Sequence, residues 1–189
     1  MTGKTGLVLD NIDTADPENA IAQEIAKILA KSDLTEEDRQ RKDWLAFHGA
    51  LYTDRDHHLV LPYRCVKRAL RNGAYLIGSS TLSGKMDKGV ESSGSTDFRI
   101  VYEGPQDARE LYDHQQFRLR NMVRKGKGMV PYVRPLIPEW KVIADVMVFN
   151  DVISWDQFTR TVDITGQAVG VGNARKIGYG RFTAEVKRL

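Results

Sequence analysis

The chain has 189 residues, 41% of them hydrophobic, a net charge of +3 and one cysteine. That is long enough for a packed core, holds no apolar run near the eighteen residues of a membrane span, and permits no intrachain disulfide. No cationic segment followed by an apolar run opens the chain, so the expectation is a cytoplasmic protein without a membrane partner. Charge is uneven along the sequence: residues 1–58 hold twelve Asp/Glu against seven Lys/Arg, and residues 59–189 hold thirteen against twenty-one.

In chain order, residues 6–10 (GLVLD) read as a short strand. Asp16 and Pro17 then suit the cap and first position of a helix whose stripe is Ile21, Ile25, Ile28 and Leu29. A second helix follows Thr35 with an acidic first turn and ends near His48-Gly49, and residues 50–62 read as a hairpin turning at 54–56. The next helix, about Tyr63 to Ile77, is two-faced: Val66, Ala69, Leu70, Gly73 and Ile77 cluster on one side, and Arg64, Lys67, Arg68 and Arg71 lie opposite. Residues 78–95 are rich in Ser and Gly without a period, which predicts a flexible loop.

A strand near 97–104 and a helical turn near 108–112 follow. Residues 117–137 alternate cation and apolar residue about Gly126-Lys127-Gly128, the pattern of a basic hairpin. Residues 140–150, a helix opened by the capping-box spacing of Ser154 and Gln157, a glycine loop at 170–180 and a last strand from Arg181 read as a β-α-β unit. Because that loop runs from helix to strand, it lacks the context of a dinucleotide fingerprint, and no cofactor is expected.

Half of the 28 cations fall in three stretches without an acid. The first, 59–86, has Arg64, Lys67, Arg68, Arg71 and Lys85; the second, 115–138, has Arg118, Arg120, Arg124, Lys125, Lys127 and Arg134; the third, 164–184, has Arg175, Lys176 and Arg181. Solvated surfaces normally mix signs, so these runs point to a polyanionic partner, with a merely solubilising face as the alternative. Tyr63, Tyr132 and Tyr179 beside the cations are open to core packing or to base stacking.

Among the four histidines, the adjacent His57 and His58 would face opposite sides of a strand and share no metal. No ligand spacing completes a metal site, so neither a metal nor a catalytic residue is assigned. Asp10, Asp13 and Asp16 read as turn and capping residues.

The basic helix and the glycine loop resemble the RAMP superfamily, in particular the backbone subunits of CRISPR effector complexes that coat guide RNA. The family's apolar-Pro-Gly-Ser-Ser-aliphatic-Lys-Gly-x-aliphatic-Arg motif is matched by Leu61, Pro62, Val66, Lys67, Leu70 and Arg71, and departed from at Tyr63, Arg64, Cys65 and Arg68. Its C-terminal G-x-G-x5-G-x-G loop is matched by Gly170, Gly172, Gly178 and Gly180. Asp16-Pro17 and Arg134-Pro135 fit the order of phage-encoded proteins of this type, which would place the chain in a host cytoplasm.

The resemblance implies an α+β chain over 1–189: a single domain with a ferredoxin-like (RRM-like) core, a helical N-terminal elaboration and a basic hairpin insertion. It implies a non-enzymatic protein that binds single-stranded nucleic acid through the three cationic stretches and the four loop glycines, and that forms a homo-oligomer along the strand. A metal-independent endoribonuclease using His48 or His57, and a phage factor engaging a host CRISPR or replication complex, stand as alternatives.

Overall fold

The structure is a computed structural model that describes residues 1–126 and 128–188. The described residues form an α+β protein with antiparallel sheets. In chain order these are β1 (Thr2–Gly3), β2 (Leu7–Val8), α1 (Ala20–Leu29), α2 (Glu36–His48), β3 (Val60–Pro62), α3 (Tyr63–Gly89), β4 (Val90–Ser92) and β5 (Asp97–Val101). After them come α4 (Ala108–Asp113), β6 (Arg118–Lys125), β7 (Gly128–Ile137), β8 (Lys141–Val142), β9 (Val146–Val148), α5 (Trp155–Ile164) and β10 (Phe182–Thr183). The chain divides into two compact units, each assembled from separated segments: residues 1–7, 53–103 and 138–189 make the first, and 8–52 with 104–137 the second.

The first unit contains a five-stranded sheet in the order β10-β1-β8-β5-β3, antiparallel at every pairing the strand registers give. Phe98, Ile100, Val142 and Phe182 are buried from this sheet. Alternation sends the neighbouring side chains to the other face. There Thr183, Thr2, Lys141 and Val101 pair in one exposed row that carries no aromatic ring.

Helices α3 and α5 pack together because Gly73 offers no Cβ where Thr165 stands, and Thr165 turns its hydroxyl inward to the Thr161 carbonyl at 2.6 Å. Tyr63 anchors the start of α3, its hydroxyl donating to the Val90 carbonyl at 2.6 Å. Beyond Ile164 the helix widens into a π turn, Thr165–Val169, before Gly170 ends it.

The flexible loop expected at 78–95 is instead ordered structure. Gly78 (φ −147°) and Ser79 (φ 65°) break α3, after which helix resumes to Gly89 and β4 pairs with β9. Leu82 and Met86, four residues apart, are the buried stripe that the Ser/Gly composition masked. Residues 140–150 are likewise two strands, β8 and β9, in two different sheets.

In the second unit, β6 and β7 form the hairpin, in register from Arg118 opposite Pro135 to Lys125 opposite Gly128, within a sheet ordered β2-β7-β6. Helix α2 has the capping box of Thr35 and Asp38, and buries Leu45 and Phe47. Helix α1 begins at Ala20 under an Asn19 cap, three residues after the expected start. Asp16 instead closes a short 3-10 turn and accepts from the Glu18 N–H at 2.9 Å.

Candidate anion-binding site

In the first unit the start of α3 meets the glycine loop. All four glycines of the loop have left-handed backbones: Gly170 at φ 78°, Gly172 at 74°, Gly178 at 95° and Gly180 at 73°. A Cβ on Gly170 would lie 2.8 Å from the Gly180 carbonyl oxygen, and one on Gly180 would strike the Val171 carbonyl. Glycine is therefore required by backbone geometry and by close approach alike.

The loop is stitched shut: Gly170 N–H donates to Thr165 O, Val171 N–H to Gly180 O, Gly180 N–H to Gly6 O, and Arg181 N–H to the Thr5 hydroxyl. These four N–H groups serve protein acceptors.

Those side chains are Arg175, Lys176 and Arg181. Arg175 is partly buried, and burial together with the like charges of Arg68 and Arg181 lowers its pKa, against an opposing pull from Cys65. Arg181 holds Nη1 buried without a hydrogen-bond partner, while its Nη2 makes a long 3.5 Å contact to the Arg175 carbonyl. Among the described residues, no carboxylate lies within salt-bridge distance of Arg68, Arg175, Lys176 or Arg181. Three guanidiniums thus gather without a carboxylate partner, with Arg68 exposed, Arg175 and Arg181 partly buried, and one Arg181 donor buried and unanswered.

The other cations of α3 are placed differently. Lys67 pairs with Glu91 at 2.6 Å and Arg71 with Asp87 at 3.4 Å, because the chain returns through the second half of α3 and β4 with acids on it. Arg64 is exposed on the helix.

The hairpin cations belong to the second unit, where three are committed to its own packing. Arg134 binds Asp10 at 2.6 Å and lies 3.9 Å from the Tyr132 ring centroid; Arg120 binds the buried Asp43 at 2.8 Å; Arg118 donates to the Tyr112 carbonyl over the Tyr112 ring. Tyr132 donates its hydroxyl to Asp10, and burial pushes its pKa up to about 12. Arg124 is exposed near the hairpin tip, Lys125 closes β6, and Lys127 lies outside the described residues.

The histidines are dispersed. His48 ends α2 and stacks on Trp44, with centroids 5.1 Å apart. His57 sits in a turn at φ 64°, not in a strand, and His58 lies 3.4 Å from Asp54. That turn brings ligand atoms of Asp54, Asp56 and His58 within 4.8 Å of one another, with the Asp54 carboxylate already accepting the N–H groups of Asp56 and His58.

The fold and site together define an α+β protein with an uncompensated arginine cluster between a basic helix and a glycine-locked loop. Comparison with protein-family models, curated proteins and solved structures finds no match.

Proposed function

We propose that the chain binds single-stranded nucleic acid through its phosphates and associates side by side along the strand. The observation that carries this is the gathering of Arg68, Arg175 and Arg181 without a carboxylate partner. A sugar-phosphate chain supplies the missing counter-charge. The exposed sheet row of Thr183, Thr2, Lys141 and Val101 lacks rings on which bases stack, which favours phosphate contacts over base reading there.

The strand order supports the RAMP-like reading. Setting aside the edge strand β3, the elements β1, α3, β5, β8, α5 and β10 run β-α-β-β-α-β, and their sheet order is fourth, first, third, second, as in a ferredoxin-like core. Residues 8–52 and 104–137 then enter as two insertions.

The test is fluorescence anisotropy with labelled 30-nucleotide RNA and DNA between 50 and 200 mM salt. With Arg68, Arg175, Lys176 and Arg181 meeting about four phosphates, log affinity falls with log salt at a slope of about −3. Arg175→Ala weakens binding by about tenfold and makes the slope shallower by about 0.7. Salt-independent binding, or an Arg175→Ala protein that binds like wild type, overturns the reading.

A further inference from the structure

A second site lies further along α3, where it faces α5. Where Gly78 and Ser79 break α3, the interruption opens a cavity of ≈280 Å³ between α3 and α5. Its apolar wall is Ile77 and Leu82, and its polar wall is Thr81, Lys85, Gln157 and Arg160. No acid lines it. Lys85 comes from α3 and Arg160 from α5, and among the described residues neither has a carboxylate within salt-bridge distance. Lys67 and Arg71, earlier on the same helix, do have such partners, whereas Lys85 and Arg160 both line this cavity without one.

We infer that this cavity holds one nucleotide by a phosphate monoester. A monoester carries about −1.5 to −2 charges at neutral pH, which matches the Lys85 and Arg160 pair, whereas each diester inside a strand carries only one. The volume admits one ring system beside the phosphate, and the open mouth leaves room for a strand to continue outward. Ile77 and Leu82 offer the ring an apolar surface, and the Gln157 side chain and Thr81 hydroxyl supply hydrogen-bonding groups at its edge. The ligand is a free mononucleotide or the phosphorylated end of a strand, two sources of one chemistry. The site is independent of the arginine cluster.

Isothermal titration of the full chain with adenosine 5′-monophosphate tests this. Binding is expected for the monophosphate and not for adenosine. Arg160→Gln weakens it at least about tenfold, since a charge-assisted contact is lost, and Thr81→Trp, which fills the cavity, removes it. Both positions are exposed, so folding is retained, and a melt identical to wild type verifies it. Lys88→Gln, on the same helix but outside the cavity, leaves monophosphate binding unchanged.

No heat with the monophosphate, equal affinity for adenosine, or wild-type affinity in both cavity variants overturns the proposal. Once those variants respond, a twelve-nucleotide strand separates the sources. Tighter binding of its 5′-phosphorylated form, lost in Arg160→Gln, places a strand end in the cavity, and equal binding of both forms assigns it to the free mononucleotide.

Discussion

Gly180 and Gly84 show how differently one residue type behaves in this chain. Gly180 has φ 73° and its absent Cβ would strike the Val171 carbonyl, a backbone atom that cannot step aside without opening the loop. Gly84 is in the second half of α3, with nothing within 4 Å of its would-be Cβ. Gly180→Ala therefore destabilises by about 3 kcal/mol through strain and overlap. Gly84→Ala stabilises by about 1 kcal/mol through helix propensity. Urea unfolding of the two variants measures both; equal and small effects would mean that the loop does not need its glycines. The spacing of the four glycines was legible in the sequence, because positive φ selects a residue type. The buried, unanswered Nη1 of Arg181 was not: burial of one atom depends on how the loop closes against Thr5 and Gly6, and no local pattern encodes that.

At the scale of the element, the hairpin shows why an acid-free run is an incomplete statement about charge. Strand alternation and the Gly126–Gly128 turn specify β6 and β7 locally, and residues 118–134 contain no carboxylate. The partners arrive from far along the chain: Asp43 from α2 meets Arg120, and Asp10 meets Arg134. Asp43 is 3% exposed and pairs with Arg120 at 2.8 Å, with Lys42 at 3.4 Å as a second, more distant neighbour. Arg120→Met leaves that carboxylate under-compensated and costs about 2–3 kcal/mol, less than a fully orphaned buried charge because Lys42 remains. Arg124→Met, at an exposed position, stays within about 0.5 kcal/mol of wild type. Chemical denaturation of the pair decides whether Arg120 is a structural residue, and equal midpoints would return it to the list of ligand contacts. The same reasoning applies to α3. Its two-faced first half was readable from a 3.6-residue period, whereas the restart after Ser79 rests on only Leu82 and Met86 among Ser, Gly and Lys, too short a stripe to signal a helix by itself.

For the molecule as a whole, the linear division into an acidic start and a basic remainder is not the division the fold makes. Summed over the compact units, the first holds sixteen Lys/Arg against twelve Asp/Glu and the second twelve against thirteen. The positive excess is thus a property of the first unit, which also holds Arg68, Arg175 and Arg181. Helix and strand types were largely visible beforehand. The interleaving of two units was not, since it depends on which distant segments pair, a relation that periodicity does not carry. An excess of like charge around a buried, unpartnered donor opposes folding, and on the function proposed above a bound anion would offset part of that cost. Arg181→Met removes the orphaned nitrogen and one repulsive charge while keeping the aliphatic stem, and should raise stability in chloride by about 1 kcal/mol, or about 2–4 °C for a chain of this size. Wild type gains the reverse way, from ligand. If inorganic phosphate binds the cluster with a Kd of about 10 mM, 100 mM phosphate stabilises by about 1.4 kcal/mol relative to chloride at equal ionic strength, and Arg181→Met loses most of that increment. Lys85 and Arg160 contribute whatever remains, which Arg160→Gln removes separately. Thermal melts of wild type and the two variants in both salts read all of this. A destabilised Arg181→Met protein, or a phosphate increment that the substitution leaves intact, would show that Arg181 is satisfied within the fold and that the cluster is not an anion site.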